Sequence, residues 1–351
     1  MTHSRRCGRA GRHRPHRRTT GGNGVDILVT GAAGFIGSHF TRTLLGGGFP
    51  GHGDDRVTAL DRLTYAGTLH NLPVGHPRLD FVRGDVCDTA LLDKVVPGHD
   101  AVVHFAAESH VDRSVEGAEA FVRTNVLGTQ ALLDAALRHG VRVFVHVSTD
   151  EVYGSITEGR WTEEEPLLPN SPYAASKASA DLFARAYART HGLDVRITRC
   201  ANNYGPGQHP EKLIPRFVTR LLDGLPVPLY GDGSHLREWL HVDDHCQAVR
   251  LVLDRGRAGE IYNVGGGTTL TNREMTARLL DLCERDWELV ERVEDRKGHD
   301  FRYAVDDAKI RRELGYAPRR SLDTELAATV AWYATHRDHW EAGGARPPTP
   351  C

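Results

Sequence analysis

The sequence runs to 351 residues, with 44 Lys+Arg against 46 Asp+Glu and a net charge of −2. Its 40% hydrophobic and 26% charged residues are ordinary for a globular protein and exclude a fibrous or wholly disordered chain. The length exceeds the ~250–300 residues at which a single core stops growing, so two lobes around a cleft are expected. The charge balance is uneven along the chain: residues 1–24 hold seven arginines and no acid, leaving 37 basic and 46 acidic groups in the remainder.

Residues 1–24 read as a disordered basic tail, because five glycines and Pro15 work against a helix. No hydrophobic segment follows the arginines, as a secretory signal needs, and no apolar run approaches the ~20 residues of a membrane span. Order is expected from Val25. Residues 25–30 read as a buried strand, which enters Gly31-Ala-Ala-Gly34-Phe-Ile-Gly37 and a helical pattern through Leu45. Residues 56–61 read as a second strand, closed by Asp61. Further strands are expected at 79–82, 101–105, 141–147 and 195–199, with helices between them, notably at 118–138. Strands alternating with helices predict an α/β fold, a Rossmann-like doubly wound parallel sheet with a smaller C-terminal α/β substrate-binding lobe. Residues 25–200, with about 242–262, are expected to hold the nucleotide cofactor. Residues 201–340 form the substrate lobe in this reading, and 341–351 a C-terminal tail. Six cysteines lie far apart without a C-x-x-C pair, which suits reduced thiols in a cytoplasmic protein.

Three local patterns carry chemistry. The glycines at 31, 34 and 37 let a chain turn sharply, approach a pyrophosphate and pack helix against strand, with the phosphate at the helix N-terminus. Asp61 stands where a carboxylate hydrogen-bonds adenosine ribose hydroxyls and repels a 2′-phosphate, so NAD is expected over NADP. Ser171-Pro172 opens a helix in which Tyr173 and Lys177 are four apart, hence on one face. A lysine ammonium there is expected to lower the phenol pKa from about 10 toward neutrality and make Tyr173 a base. The strand at 141–147 delivers Thr149, Asp150 and Glu151 to its carboxyl end, where open α/β sheets bind ligands. Two adjacent acids suit an elimination, one ionised to take a proton from carbon and one protonated to release a hydroxyl as water. His241 and His245 are spaced like a metal pair, but no third ligand cluster accompanies them and no metal is expected.

These stretches resemble the extended short-chain dehydrogenase/reductase superfamily and, within it, the dTDP-glucose 4,6-dehydratases. The matching segments are 30–38, 60–67 (LDRLTYAG), 106–114 (AAESHVDRS), 124–129, 148–154, 173–177, 199–215 (RCANNYGPGQHPEKLIP), 229–244 and 298–306 (GHDFRYAVD). They span nearly everything from 25 to about 335.

The resemblance implies a redox-neutral conversion of dTDP-glucose to dTDP-4-keto-6-deoxyglucose and water, with NAD tightly bound and regenerated each cycle. Tyr173, Thr149 and Lys177 would act at the C4 hydroxyl, Glu151 at C5–H and Asp150 at the C6 oxygen. It also places Phe35, Ile36, Asp61, Arg62, Leu63, Thr64, Asp85, Val86, Phe105, Ala106, Ala107, Ser109, Thr124 and Asn203 near NAD, beside the three glycines, Tyr173 and Lys177. Around the substrate it puts Ser109, Thr149, Asn202, Lys212, Leu213, Pro228, Tyr230, Arg237, Asn272, His299 and Tyr303. Arg237 and Lys212 suit a diphosphate and Tyr230 a base. Related 4-epimerases carry small residues where Asp150 and Glu151 stand, and related decarboxylases a serine in place of the aspartate, so both fit the sequence less well. The intact Tyr–Lys and Asp–Glu pairs also argue against an NAD-sensing or nucleic-acid-binding protein. Similar enzymes are homodimers built on a four-helix bundle, here from helices at about 115–138 and 173–190.

Overall fold

The computed structural model describes residues 24–341, so the expected tails lie outside it except for Gly24 and Glu341. Twelve strands follow in chain order. The first six are β1 (Asp26–Thr30), β2 (Arg56–Asp61), β3 (Leu79–Arg83), β4 (Ala101–His104), β5 (Val143–Thr149) and β6 (Val195–Cys200). The rest are β7 (Asn202–Tyr204), β8 (Val227–Tyr230), β9 (Leu236–His241), β10 (Ile261–Val264), β11 (Thr268–Thr271) and β12 (Val290–Val293). Seven form a parallel sheet in the order β10-β6-β5-β4-β1-β2-β3. Burial on both faces explains the run-on apolar composition of strands such as β4 (AVVH), buried at every position; β6 (VRITRC) is buried throughout too, with its arginines paired to Asp194 and Asp181.

The principal helices are α1 (Phe35–Leu45), α2 (Thr89–Val95), α3 (Val111–Glu116), α4 (Glu119–Phe121), α5 (Thr129–Arg138), α6 (Pro172–His191), α7 (Leu213–Leu222) and α8 (Val242–Arg255). One core packs α1 and α8 against one sheet face; a second packs α2, α5 and α6 against the other. The single helix expected at 118–138 is divided. Between α4 and α5, Val122–Gly128 winds as a π-helix, and Asn125 there accepts from the Glu108 amide and donates to the Glu108 carbonyl and the Ser176 hydroxyl. The side-chain bonds of Asn125 tie the wide turn to the loop after β4 and to α6, a long-range cause that periodicity does not report.

The later chain builds a three-stranded sheet (β11-β9-β7) and a two-stranded one (β12-β8) around a third core that includes Phe217, Trp239, Met275 and Tyr333. It also returns α8 and β10 to the large sheet. No helix among the described residues is long and apolar enough to cross a membrane.

Candidate active site

In the large sheet, β1 and β4 are neighbours from which the strand order runs in opposite directions, and the crevice at their carboxyl ends is where such folds bind ligands. Gly31 follows β1 with φ +66°, and a Cβ on it would lie 2.5 Å from the Ala106 amide after β4. A Cβ on Gly37 would lie 2.3 Å from the Gly31 carbonyl oxygen. Neither position admits a side chain without moving backbone. Gly34 is the N-cap of α1, whose first-turn N–H groups have no partner inside the helix. Asp61 accepts from the Ala33 and Leu63 amides at 2.9 and 2.7 Å; burial raises its pKa while these amide bonds oppose the rise.

A cavity of about 310 Å³ opens here. Every residue expected near the cofactor lines it except Leu63. Leu63 gives its amide to Asp61 in a left-handed turn, φ 58°, and its side chain packs against the core instead. Arg62 is held by Asp85 at 3.3 Å.

Thr149 ends β5, and Asp150 and Glu151 begin the tight turn Asp150–Tyr153. Gly154 closes it at φ +81°, where a Cβ would sit 2.2 Å from the Leu168 carbonyl oxygen. Asp150 is 1% exposed; it accepts from the Thr149 hydroxyl at 3.3 Å, and its Oδ2 has no partner among the described residues. Burial pushes its pKa well above the carboxylate range, and Glu151 and Glu238 push the same way. Burial raises Glu151 too, but Lys212 and Arg237 work against the rise.

Ser171 caps α6, accepting from the Ala174 amide at 3.1 Å, with Pro172 in the first turn. That start sets Tyr173 and Lys177 on the cavity wall. Here the structure corrects a sequence expectation. The Tyr173 phenol lies well above its ordinary value, not below it: burial raises it, Glu151 adds to the rise, and the Thr149 hydroxyl only partly offsets them. Lys177 gives its ammonium to the Val147 carbonyl at 2.8 Å, and burial lowers it to about 8. In the protein alone, a carboxylate-lined, buried setting governs the phenol.

A second cavity, of about 170 Å³, shares Ser109, Glu151, Asn202, Glu211 and Lys212 with the first. Every residue expected around the substrate lines it except Thr149, which lines the first. Lys212 donates to the Ser109 carbonyl at 2.6 Å. Arg237 spans the carbonyls of Leu236 and Asp300 at 2.7 and 2.9 Å, with its guanidinium 4.5 Å from the Tyr303 ring centre. Asn202 and Asn272 each keep a buried side-chain oxygen without a partner among the described residues.

Sequence reasoning missed Arg216, Asp112 and Arg296 in this wall. Arg296 donates to Asp112 at 3.0 Å and lies 4.9 Å from the Tyr230 ring centre. Its place two residues before Gly298, at the edge of a matched segment, was a usable signal, and Asp112 lies inside the matched segment 106–114.

His241 and His245 do not converge. His241 accepts from the Asp243 amide at the head of α8, and His245 meets the Asn203 side chain at 2.9 Å. Instead His235 and His299 face Asp295, at 3.3 and 2.7 Å. Their rings stack 3.8 Å apart at 19°, and the ligand atoms of His235, Asp295 and His299 lie within 4.8 Å of one another.

Residues 28–329 match the profile of the family described as GDP-mannose 4,6 dehydratase, most of the chain. The chain belongs to this dehydratase family. Among curated members, it is 65% identical to a dTDP-glucose 4,6-dehydratase of Streptomyces griseus over 317 residues, covering 90% of this chain and 96% of that one. Among solved structures, the dehydratase fold overlays the dTDP-glucose 4,6-dehydratase DesIV of Streptomyces venezuelae, determined with NAD and TYD bound, at a TM-score of 0.89. That pair is 63% identical, over 91% of this chain and 99% of DesIV. A UDP-glucose 4-epimerase of Thermotoga maritima, determined with UDP-glucose, overlays at 0.81 with 31% identity, covering 88% of this chain and 99% of that one.

Proposed function

We propose that this protein is a dTDP-glucose 4,6-dehydratase, converting dTDP-glucose to dTDP-4-keto-6-deoxyglucose and water. The observation that carries the reading is the Asp150–Glu151 pair: two adjacent acids, one buried and one half-buried, in different electrostatic settings at the junction of two cavities. An epimerase, which eliminates nothing, has no use for it.

The first cavity fits NAD. Its wall has the glycine cradle that excludes any Cβ, the unpartnered first-turn amides of α1 and the Asp61 carboxylate at the ribose position. NAD, when bound, supplies a hydride acceptor and a positive charge and later returns the hydride. Tyr173 takes the C4 hydroxyl proton, with Thr149 within hydrogen-bonding reach and Lys177 giving the phenolate a counter-charge. Oxidation at C4 acidifies C5–H, which Glu151 removes in its ionised form. Asp150, kept protonated, gives its proton to the C6 oxygen as water leaves, and a proton then returns to C5. Lys212, Arg216, Arg237 and Arg296 line the second cavity and suit a diphosphate there. Residues 25–200 with about 242–262 then form the cofactor lobe, and most of 201–340 the nucleotide-sugar lobe.

The test is incubation of the purified protein with dTDP-glucose and, separately, with UDP- and GDP-sugars. Alkali then reveals a 4-keto sugar by its ultraviolet absorbance, with no added NAD consumed. Signal with UDP- or GDP-sugars but none with dTDP-glucose would reject this substrate.

A homodimer belongs to the same reading. Val122, Leu127, Leu182 and Phe183 are 40–56% exposed on the π-turn and α6, an apolar surface suited to a bundle with a second copy. Leu182→Asp with Phe183→Asp is expected to give monomers by light scattering; an unchanged mass would reject this face. The four free cysteines among the described residues accord with a cytoplasmic protein.

A further inference from the structure

Behind the catalytic face of α6 lies a charged cluster that the reaction above does not use. Asp181 is wholly buried one turn beyond Lys177, so Tyr173, Lys177 and Asp181 recur four apart along one face of the helix. Its carboxylate accepts from Arg199 Nε at 2.8 Å and meets His146 Nε2 at 3.3 Å. Arg199, equally buried, donates to the Tyr153 hydroxyl at 2.8 Å, and that hydroxyl donates to Asn263 at 2.8 Å. Burying two charges this deeply is costly, and an apolar pair of similar volume often holds a fold as well or better. The pair therefore asks for a reason beyond packing.

We propose that Asp181, held by Arg199, is a positioning residue that keeps Lys177 charged beside Tyr173. The inference rests on the dehydratase reading only for the task given to Lys177.

The groups around Lys177 leave that role to Asp181. His104 on β4 and His146 on β5 are buried, which drives both below the ordinary histidine range and keeps them neutral. The Cys200 thiol on β6 is pushed up by burial to about 12, so it carries no charge at neutral pH. Asp150 in the turn after β5 holds its proton, and Tyr173 on the same helix holds its own. Arg199 is a cation and works against a second one nearby. Asp181 itself stays ionised: burial resists this, but Arg199 and His146 hold its pKa down to about 2. It is thus the anion that opposes the downward pull of burial on Lys177. Remove it, and the same burial makes Lys177 shed its proton at neutral pH.

The sequence has five lysines, so the full chain labelled with ε-13C-lysine gives few signals, and Lys177→Met assigns the one of interest. Lys177 is expected to titrate near about 8 in the parent protein. In Asp181→Asn it is expected to fall by about one unit or more. The alkaline limb of kcat against pH for dTDP-glucose should fall with it, while KM stays nearly constant. Asp181→Glu should restore both. Asp181→Asn leaves Arg199 without its anion, so Asp181→Asn/Arg199→Met, which removes both charges, is measured beside it and should show a smaller shift in the same downward direction. An unmoved Lys177 titration in either folded variant overturns the proposal, as does a parent Lys177 already neutral at neutral pH. Failure of the parent protein to act on dTDP-glucose would reject the dehydratase reading instead, because the Lys177 titration is taken without substrate.

Discussion

Asp150 and Glu151 are neighbours, but different charges face them. Glu151 has Lys212 and Arg237 opposing the effect of burial, whereas Asp150 has Glu151 and Glu238 adding to it. That asymmetry predicts their separate tasks. In Glu151→Gln and Asp150→Asn, bound NADH is expected to accumulate on mixing with dTDP-glucose while product formation falls by about 10²–10⁴-fold. Full dehydration rates in both variants would reject the assignment. The two differ in a second measurable way. A carboxyl whose folded pKa is raised contributes its stability below the unfolded value and loses it as pH rises through the folded one. Asp150→Asn should therefore leave Tm at neutral pH unchanged or higher. The identity of these residues was legible in the sequence because β5 ends immediately before them. The setting of Lys177 was not, since Val147, which takes its ammonium, and Arg199, which holds Asp181, come from β5 and β6. Hence the sequence expectation of a lowered Tyr173 pKa ran opposite to the cleft.

At the scale of elements, the start of α6 is the clearest local signal in the chain. Ser171 accepts from the Ala174 amide, and that cap fixes where the helix begins and so where Tyr173 points. Ser171→Ala is expected to cost about 1 kcal/mol, seen as a Tm lower by roughly 2 °C, with kcat reduced more than KM is raised. An unchanged kcat at the lower Tm would show that the cap serves stability alone. The glycine turn was equally legible through its spacing, because Gly37 answers to the Gly31 carbonyl within a short stretch, although Gly31 meets Ala106 from beyond β4. The division of the 118–138 helix was hidden, as Asn125 takes its partners from Glu108 and Ser176. Leu63 failed for a related reason: its amide, not its side chain, serves the cofactor end of β2.

Across the whole molecule, buried and half-buried histidines set the response to acid. Burial holds His245 down to about 3 and His110, His209 and His299 down to about 4. An unfolded chain takes up these protons near pH 6.5, while the folded one does so only well below that. Stability is therefore complete above about 6.5 and drains away as pH falls toward the folded values, with Asp150 titrating in the opposite sense. Tm measured from neutral pH downward should begin to drop before ordinary carboxylates titrate; a flat Tm from pH 7 to 5 would reject this. His299 and His245 were singled out in the sequence, but nothing there told how far burial lowers them among 20 histidines. What the sequence did disclose at this scale is the alternation that makes the sheet, because six of its seven strands are short local runs, while β10 joins it from the later chain.

The wide turn Val122–Gly128 holds one residue more than an ordinary helical turn would. Losing that residue would let the segment wind as plain α-helix, but everything before it would swing by about 100°. Thr124 would leave the cavity wall, and Val122 would no longer share an outer face with Leu127. Most point changes at these positions disturb one contact. A single deletion would misalign the cleft and the outer face together, so length variation here is far less tolerable than change of residue.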